Sequence, residues 1–198
     1  MSQPATATRL ILASSSPFRR MLLERLALDF EALSPDIDET PAANEQARDL
    51  VQRLAREKCL AIARQHPGAI VIGSDQVADL DGAIIGKPGN RENAIAQLLN
   101  QAGRTVFFHT GVCVKPPGHA NPLQALVTVT TRFRRLTRSE IERYVDAEDV
   151  TGTAGSIKSE GLGITLVEAI ESDDPTALIG LPLIRLREML ARAGLKRP

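Results

Sequence analysis

The stretch Leu10-Ile11-Leu12-Ala13-Ser14-Ser15-Ser16-Pro17-Phe18-Arg19-Arg20 decides how the whole chain reads. Its first four residues are apolar and form a short buried strand. Three hydroxyls follow, and Pro17 fits the first position of a helix, where a missing N–H costs nothing. Ser16 before it fits the N-cap. A strand that turns straight into a helix leaves several backbone N–H groups without intrahelical partners, all near one point. With the helix dipole they suit an anion. The dipole contributes only about 0.3–1 kcal/mol when exposed and ~2 kcal/mol when partly buried. A polyphosphate therefore needs added cations, and Arg19 offers a bidentate fork. The same residues also describe a well-capped surface helix with solvated arginines.

Outward from this junction, helical spacing of Met21, Leu22, Leu26 and Leu28 predicts a helix of about three turns. Residues 30–33 read as a second strand, followed by the acidic loop SPDIDETP. Residues 44–65 carry an apolar stripe of Ala47, Leu50, Val51, Leu54, Ala61 and Ile62, ended by His-Pro-Gly. Residues 69–72 are a strongly apolar strand running into GSDQV. Asp81-Gly82 marks a hairpin turn before the loop GKPGN. A helix over Arg91–Gln101 stops at Gly103. Residues 105–114 and Leu123–Phe133 alternate around PPGHAN as a second hairpin. Thr137 and Glu140 form a capping-box pattern. TGTAGSIKSEGLG shows no helical period, and residues 183–193 close the chain as an amphipathic helix before Gly194. The order is mixed α/β with an antiparallel hairpin, which disfavours a purely parallel doubly wound sheet.

At 198 residues the chain suits one domain, or one fold with two lobes around a shared sheet. With 24 basic and 24 acidic residues it lacks the positive excess of a protein that grips nucleic acid polymers. Aromatic residues are 3% of the chain and Trp is absent, which disfavours stacking platforms for single strands. Cys59 and Cys113 belong to no metal-ligand spacing and read as small buried hydrophobes in a reducing compartment. Residues 1–9 hold no apolar run of signal-peptide length, and nothing approaches the ~20 apolar residues of a membrane span. The expectation is a cytoplasmic protein with no membrane partner.

Several charged residues lie where charge needs a reason. Asp75 ends an apolar strand, where a carboxylate can hold a hard cation or take a proton from water; it can equally form a turn. Glu39, in the acidic loop, is either a second ligand or a solvated acid. Lys58 falls one turn beyond Leu54 on the apolar stripe, an odd place for a charge unless it reaches a cleft. Lys87 stands between Gly86 and Pro88, in a stiff loop where backbone can approach a ligand closely. Each lysine alone is also an ordinary surface residue. His66, His109 and His119 show no ligand spacing.

Taken in order, LILASSSPFRR, LSPDIDET, LAREKCLAIA, VIGSDQV, GKP, HTGV, FRRLTRSEIERYV, AGSIKSEGLGITL and GLPL resemble the Maf family over nearly the whole chain. The resemblance implies an elongated α/β fold related to the inosine-triphosphatase superfamily, with a cleft between two lobes. It implies hydrolysis of a nucleoside triphosphate between its α- and β-phosphorus, with a divalent metal, Mg²⁺ or Mn²⁺. Carried onto this sequence, it assigns Ser14, Ser16 and Arg19 to phosphate, with Lys58 and Lys87 lining the cleft. Asp75 becomes the proton acceptor and Glu39 the loop acid beside the metal. A small-molecule nucleotide is the implied partner, and a homodimer is compatible with the resemblance.

Three positions depart from the commonest pattern of that family. Phe18, Gln76 and Glu160 stand where much of it has Arg, Thr and Gln. Such a set resembles the subgroup preferring 7-methyl-GTP; the Arg/Thr/Gln set resembles the dTTP and UTP pyrophosphatases. N7-methylation makes guanine cationic, and an aromatic face attracts a cation by about 0.5–2 kcal/mol. Guanine also presents N1–H and N2–H on one edge, which a carboxylate such as Glu160 can accept as a pair. Phe18 as a core ring and Glu160 as a loop acid is the plainer alternative. Pyrimidine triphosphate hydrolysis and a nucleotide-binding regulator of septum formation are the competing functions.

Overall fold

The structure is a computed structural model that describes residues 8–195. The expectation that residues 1–9 hold no apolar run of signal-peptide length falls, for positions 1–7, outside the described residues. Strand β1 (Leu10–Ala13) runs through helix α1 (Pro17–Glu24) to β2 (Glu31–Leu33), and β2 through α2 (Ala47–Gln65) to β3 (Ile70–Leu80). Both neighbours of β1 are parallel to it, β2 on one side and β3 on the other. The chain thus crosses over in opposite directions from β1, which opens a crevice at its carboxyl end. That end is Ser14–Ser16.

The remaining strands are antiparallel. β4 (Ala83–Ile85) folds back on the far end of β3, and β5 (Thr105–Lys115) pairs with β3 along nearly its whole length. β6 (Leu123–Phe133) and β7 (Val167–Glu171) complete a seven-stranded sheet ordered β2-β1-β3-β5-β6-β7. Helices α3 (Arg91–Gln101), α4 (Arg138–Ala147) and α5 (Leu183–Arg192) pack around it. One edge of β3 is paired with β1 as far as Gly73 and with β4 from Ala78 onward. Residues 74–77 between them have a strand neighbour on the β5 side only. The crevice at the end of β1 opens onto this uncovered edge.

Two glycines bring α2 onto the opposite strands at that level. A Cβ on Gly73 would lie 2.3 Å from the Ala55 carbonyl oxygen, and one on Gly111 would lie 2.3 Å from that of Val51. With no side chain at either place, the helix backbone rests directly on the sheet. Leu50, Val51, Leu54, Ala55, Cys59 and Ile62 face inward and are buried. Each large aliphatic among them gains about 1.5–3 kcal/mol by leaving water. Lys58 shares this stripe and is buried with it. Cys59 donates to the Val71 carbonyl at 3.1 Å. Contact with the Cys113 thiol, and burial, push the Cys59 thiol well above its usual range, as befits a packed sulfur.

Alternation along β3 turns Ser74 and Gln76 to the other face. There two apolar cores share the long strands. One gathers Leu10, Leu12, Leu22, Ile70, Ile72, Val112 and Leu186, the other Ala78, Leu98, Val106, Phe108, Val129, Phe133 and Ile141. Between them lies a polar seam. The Ser74 hydroxyl is 3.1 Å from the Gly180 carbonyl, Thr110 Oγ1 is 2.9 Å from that of Ala177, and Gln76 Nε2 is 2.7 and 2.9 Å from those of Ala177 and Leu178. These bonds latch a 3₁₀ turn, Pro175–Ile179, into the gap between the cores.

The structure departs from sequence expectation in several places. α1 has two turns rather than three, because Ala27 takes a positive φ of 50° and reverses the chain. α2 begins at Ala47, three residues late, after Asn44 with φ 60°. β3 runs eight residues beyond the apolar segment 69–72, through GSDQV. β7 lies in a part of the chain with no expected strand.

Candidate functional site

Ser14 and Ser16 stand at the carboxyl end of β1 as expected. The Ser16 N–H donates to Ser14 Oγ at 3.1 Å, and Ser16 Oγ caps α1 by accepting the Arg19 N–H at 3.4 Å. Pro17 takes the first helical turn. The cap turns Arg19 inward, where Nε donates to the Gly180 carbonyl at 2.9 Å. Gly180 adopts a φ of 118°, which a side chain would strain, and so aims that carbonyl at both Arg19 and Ser74. The Arg19 guanidinium also lies 4.0 Å from Asp75 Oδ1. Burial pulls the Arg19 guanidinium below its usual range, against the opposing pull of the Asp75 and Glu39 charges.

Asp75 stands on the uncovered segment of β3, on the α2 face. Lys58 reaches it: Nζ lies 2.6 Å from Asp75 Oδ1 and 2.9 Å from Glu39 Oε1. Lys58 and Asp75 are 5% and 6% exposed, whereas the Glu39 side chain is 54% exposed. The odd placement of a lysine on an apolar stripe is thereby explained, since it bridges two carboxylates at the mouth of a crevice. A buried pair of this kind survives desolvation only when its remaining valences are met, and Glu39 and Arg19 meet them here. Asp75, Glu39, Lys58 and Arg19 are thus one cluster, joined through Arg19 to the turn at Ser14–Ser16.

The expected base-reading residues are placed less uniformly. The half-buried Phe18 ring has the Lys158 ammonium 5.4 Å from its centroid. Lys158 belongs to a turn closed by a bond from the Gly161 N–H to the Lys158 carbonyl, and exposed Glu160 lies in the same turn. Phe18 and the turn that carries Glu160 are therefore joined through Lys158. The Gln76 amide donates to the Ala177 and Leu178 carbonyls of the Pro175–Ile179 turn, on the face of the sheet opposite Asp75. Lys87 is exposed in the loop after β4, which is tied at Gly86 and Gly89 to Gly155 and Thr151 rather than to the Asp75 cluster.

Sequence reasoning missed Lys158, the Gly180 carbonyl and Ser74. Extending the strand through GSDQV would have placed Ser74 and Gln76 opposite Asp75 by alternation alone.

The donor set suits a divalent metal ion. Among the described residues no three His, Cys, Asp or Glu side chains converge. Two carboxylates, Asp75 and Glu39, already share one cation in Lys58. Hard oxygens in that number match a cation that keeps waters and takes its other ligands from phosphate.

The β1–α1 turn beside a carboxylate–lysine–arginine cluster is the polar centre of a mixed α/β protein. The chain belongs to the Maf-like protein family, whose model matches residues 9–193. It is 53% identical over 189 residues to the 7-methyl-GTP pyrophosphatase of Polaromonas sp. (strain JS666 / ATCC BAA-500), covering 96% of this chain and 86% of that relative. It is 55% identical over 187 residues to the 7-methyl-GTP pyrophosphatase of Bordetella avium (strain 197N), covering 94% of each. Among solved structures it is similar to the Staphylococcus aureus Ham1 protein, with 19% identity and a TM-score of 0.48 over 65% of this chain and 73% of that one. Among the described residues no helix is long and apolar enough to cross a membrane.

Proposed function

We propose that this chain is a nucleoside triphosphate pyrophosphatase that converts 7-methyl-GTP to 7-methyl-GMP and pyrophosphate. The observation that carries the reaction type is the meeting of Asp75, Glu39, Lys58 and Arg19 at the uncovered edge of β3, beside the Ser14–Ser16 turn. The named activity of relatives sharing more than half of its residues supports the same reading.

In this reading the Ser14 and Ser16 hydroxyls and the free N–H groups of the α1 turn bind phosphate oxygens. Asp75 orients a water and takes its proton as the water oxygen bonds to the α-phosphorus. The bond from the α-phosphorus to the bridging oxygen breaks, and that oxygen leaves with pyrophosphate. Arg19 and Lys58 face the charge that grows on the leaving group, and Lys87 follows the tail from its stiff loop. A divalent cation, Mg²⁺ or Mn²⁺, would be held by Asp75 and Glu39 and would supply charge neutralisation and water activation. Phe18 already attracts one cation, the Lys158 ammonium, so its face suits a cationic base. Glu160 accepts guanine N1–H and N2–H. Gln76 shapes the cleft through the Pro175–Ile179 turn.

We read the chain as one domain whose lobes are the two cores on the shared sheet, acting on free nucleotides in the cytoplasm, either alone or as a homodimer. Hydrolysis of 7-methyl-GTP in H₂¹⁸O tests the chemistry. Label in 7-methyl-GMP and none in pyrophosphate is expected; release of orthophosphate, or label in pyrophosphate, contradicts attack at the α-phosphorus.

A further inference from the structure

Glu39 has an unusual setting for a residue that must hold one position. It lies on an irregular, largely exposed loop, yet its carboxylate meets the buried Lys58 at 2.9 Å. Something other than core packing has to hold it there. On its N-terminal side, Ile37 packs against the cluster of Leu50, Val51, Leu54 and Val77. On its C-terminal side the loop is gathered by one side chain, Arg53.

Arg53 sits on α2, five residues before Lys58, with its side chain 30% exposed. Nε and NH2 grip both oxygens of Glu45 at 2.7 and 2.8 Å, the parallel two-bond geometry that only a guanidinium supplies. NH2 also donates to the Thr40 carbonyl at 3.1 Å, and NH1 to Glu57 at 3.1 Å. Glu45 in turn accepts the Ala42 N–H at 2.9 Å, and the Thr40 N–H is held by Asp38 at 2.9 Å. The residue directly after Glu39 is thus fixed through both its N–H and its carbonyl. One helix carries the lysine that receives Glu39 and the arginine that anchors its loop.

We infer that Arg53 is a positioning residue for the reaction, acting through Glu39 by clamping the 40–45 segment to α2. This rests on the proposed role of Glu39 at the phosphate site, whereas the clamp itself can be read without substrate. An arginine serving only its own helix would need Glu57 alone, the i, i+4 pair worth about 0.2–0.5 kcal/mol. The bonds to Glu45 and Thr40 reach outside the helix and leave the side chain committed to the loop. Holding a loop carboxylate in place removes conformational freedom that the bound state would otherwise have to suppress.

The test compares Arg53→Met and Arg53→Lys with the unaltered protein, Lys keeping the charge and the Glu57 pair but not the fork. Amide hydrogen exchange at Thr40 and Ala42, measured without ligand, is expected to speed up in both variants. The Mg²⁺ concentration giving half-maximal 7-methyl-GTP hydrolysis is expected to rise on the order of tenfold, as for other residues that orient a metal-site acid. Mn²⁺ binding in the presence of a non-hydrolysable α,β-methylene triphosphate is expected to weaken by a similar factor. Preference for 7-methyl-GTP over GTP should stay constant, and adding Arg53→Met to Glu39→Gln should raise the Mg²⁺ requirement no further. Unchanged exchange, full rescue by lysine, or faster exchange with an unchanged metal requirement overturns the inference. If the unaltered protein hydrolyses no triphosphate, the functional reading fails, and unaltered exchange in the variants separately rejects the clamp.

Discussion

Gly111 stands directly across the sheet from Asp75, and that pairing lets α2 come close enough for Lys58 to reach the carboxylate. A methyl group at position 111 would press on the Val51 carbonyl, which belongs to helix backbone and cannot swing aside. Gly111→Ala is therefore expected to lift α2 and to cost at least about 1–3 kcal/mol, the usual penalty of overpacking. Thermal unfolding should show a fall of several degrees. Turnover should fall too, because Lys58 and Asp75 separate. A melting curve and rate like those of the unaltered protein would mean that the helix does not need this contact.

The members of the buried pair should fail differently. Asp75→Asn preserves shape and leaves Lys58 with Glu39, so folding should persist while kcat falls by about 10²–10⁴, the usual contribution of a positioned base. Lys58→Met strands Asp75 in a buried place without its closest cation, and about 3–5 kcal/mol of stability should go. Urea denaturation beside steady-state kinetics separates the two. Asp75→Asn turning over at the original rate would remove that residue from the reaction.

Selectivity should depend on Phe18 and the Glu160 turn. Replacing Phe18 with Leu keeps an apolar side chain but loses the ring's attraction for a cation, about 0.5–2 kcal/mol. The kcat/KM ratio of 7-methyl-GTP to GTP should then drop roughly 2- to 30-fold, which is that energy as a rate ratio. Glu160→Gln should weaken both guanine nucleotides relative to UTP. An unmoved ratio in both variants would mean that the base lies elsewhere.

The features legible in the sequence were those set by local chemistry. The Ser16–Pro17 start of α1, the span of α3 and the Thr137–Glu140 capping box all follow from neighbours within one turn. Lys58 was conspicuous because a charge interrupted an apolar period. What stayed hidden depends on partners distant in sequence. The apolar strand 69–72 was legible, with Asp75 at its end, but Ser74, Asp75 and Gln76 continue it because β5, α2 and the Pro175–Ile179 turn each satisfy one of them. Arg53 resembled any solvated helix arginine, since Glu45 and Thr40 lie on a loop whose path the sequence does not reveal. The bonds from the Gln76 amide to the Ala177 and Leu178 carbonyls likewise join segments far apart in sequence.

His109 should leave a signature in stability rather than in rate. It is buried on β5, bonded through Nδ1 to Thr128 Oγ1 at 2.9 Å and 3.6 Å from Asp79. Burial lowers its pKa, and the Asp79 charge opposes that shift only in part. The unfolded chain therefore binds this proton more tightly than the folded one. The His109 contribution is intact above the ordinary histidine range near pH 6.5 and is lost as pH falls from there through the lowered folded value. Melting temperatures between pH 5 and 8 should show a steeper acid-side fall for the unaltered protein than for His109→Gln. Parallel curves would show that the imidazole titrates alike in both states.

The most direct measurement of the central claim is kcat/KM for 7-methyl-GTP, GTP, dTTP and UTP with Mg²⁺, following pyrophosphate release. A cleft that grips triphosphate at Asp75 and sorts bases at Phe18 and Glu160 predicts that 7-methyl-GTP leads the set and that pyrophosphate is the product. Faster turnover of dTTP or UTP, or no pyrophosphate from any of the four, would contradict it.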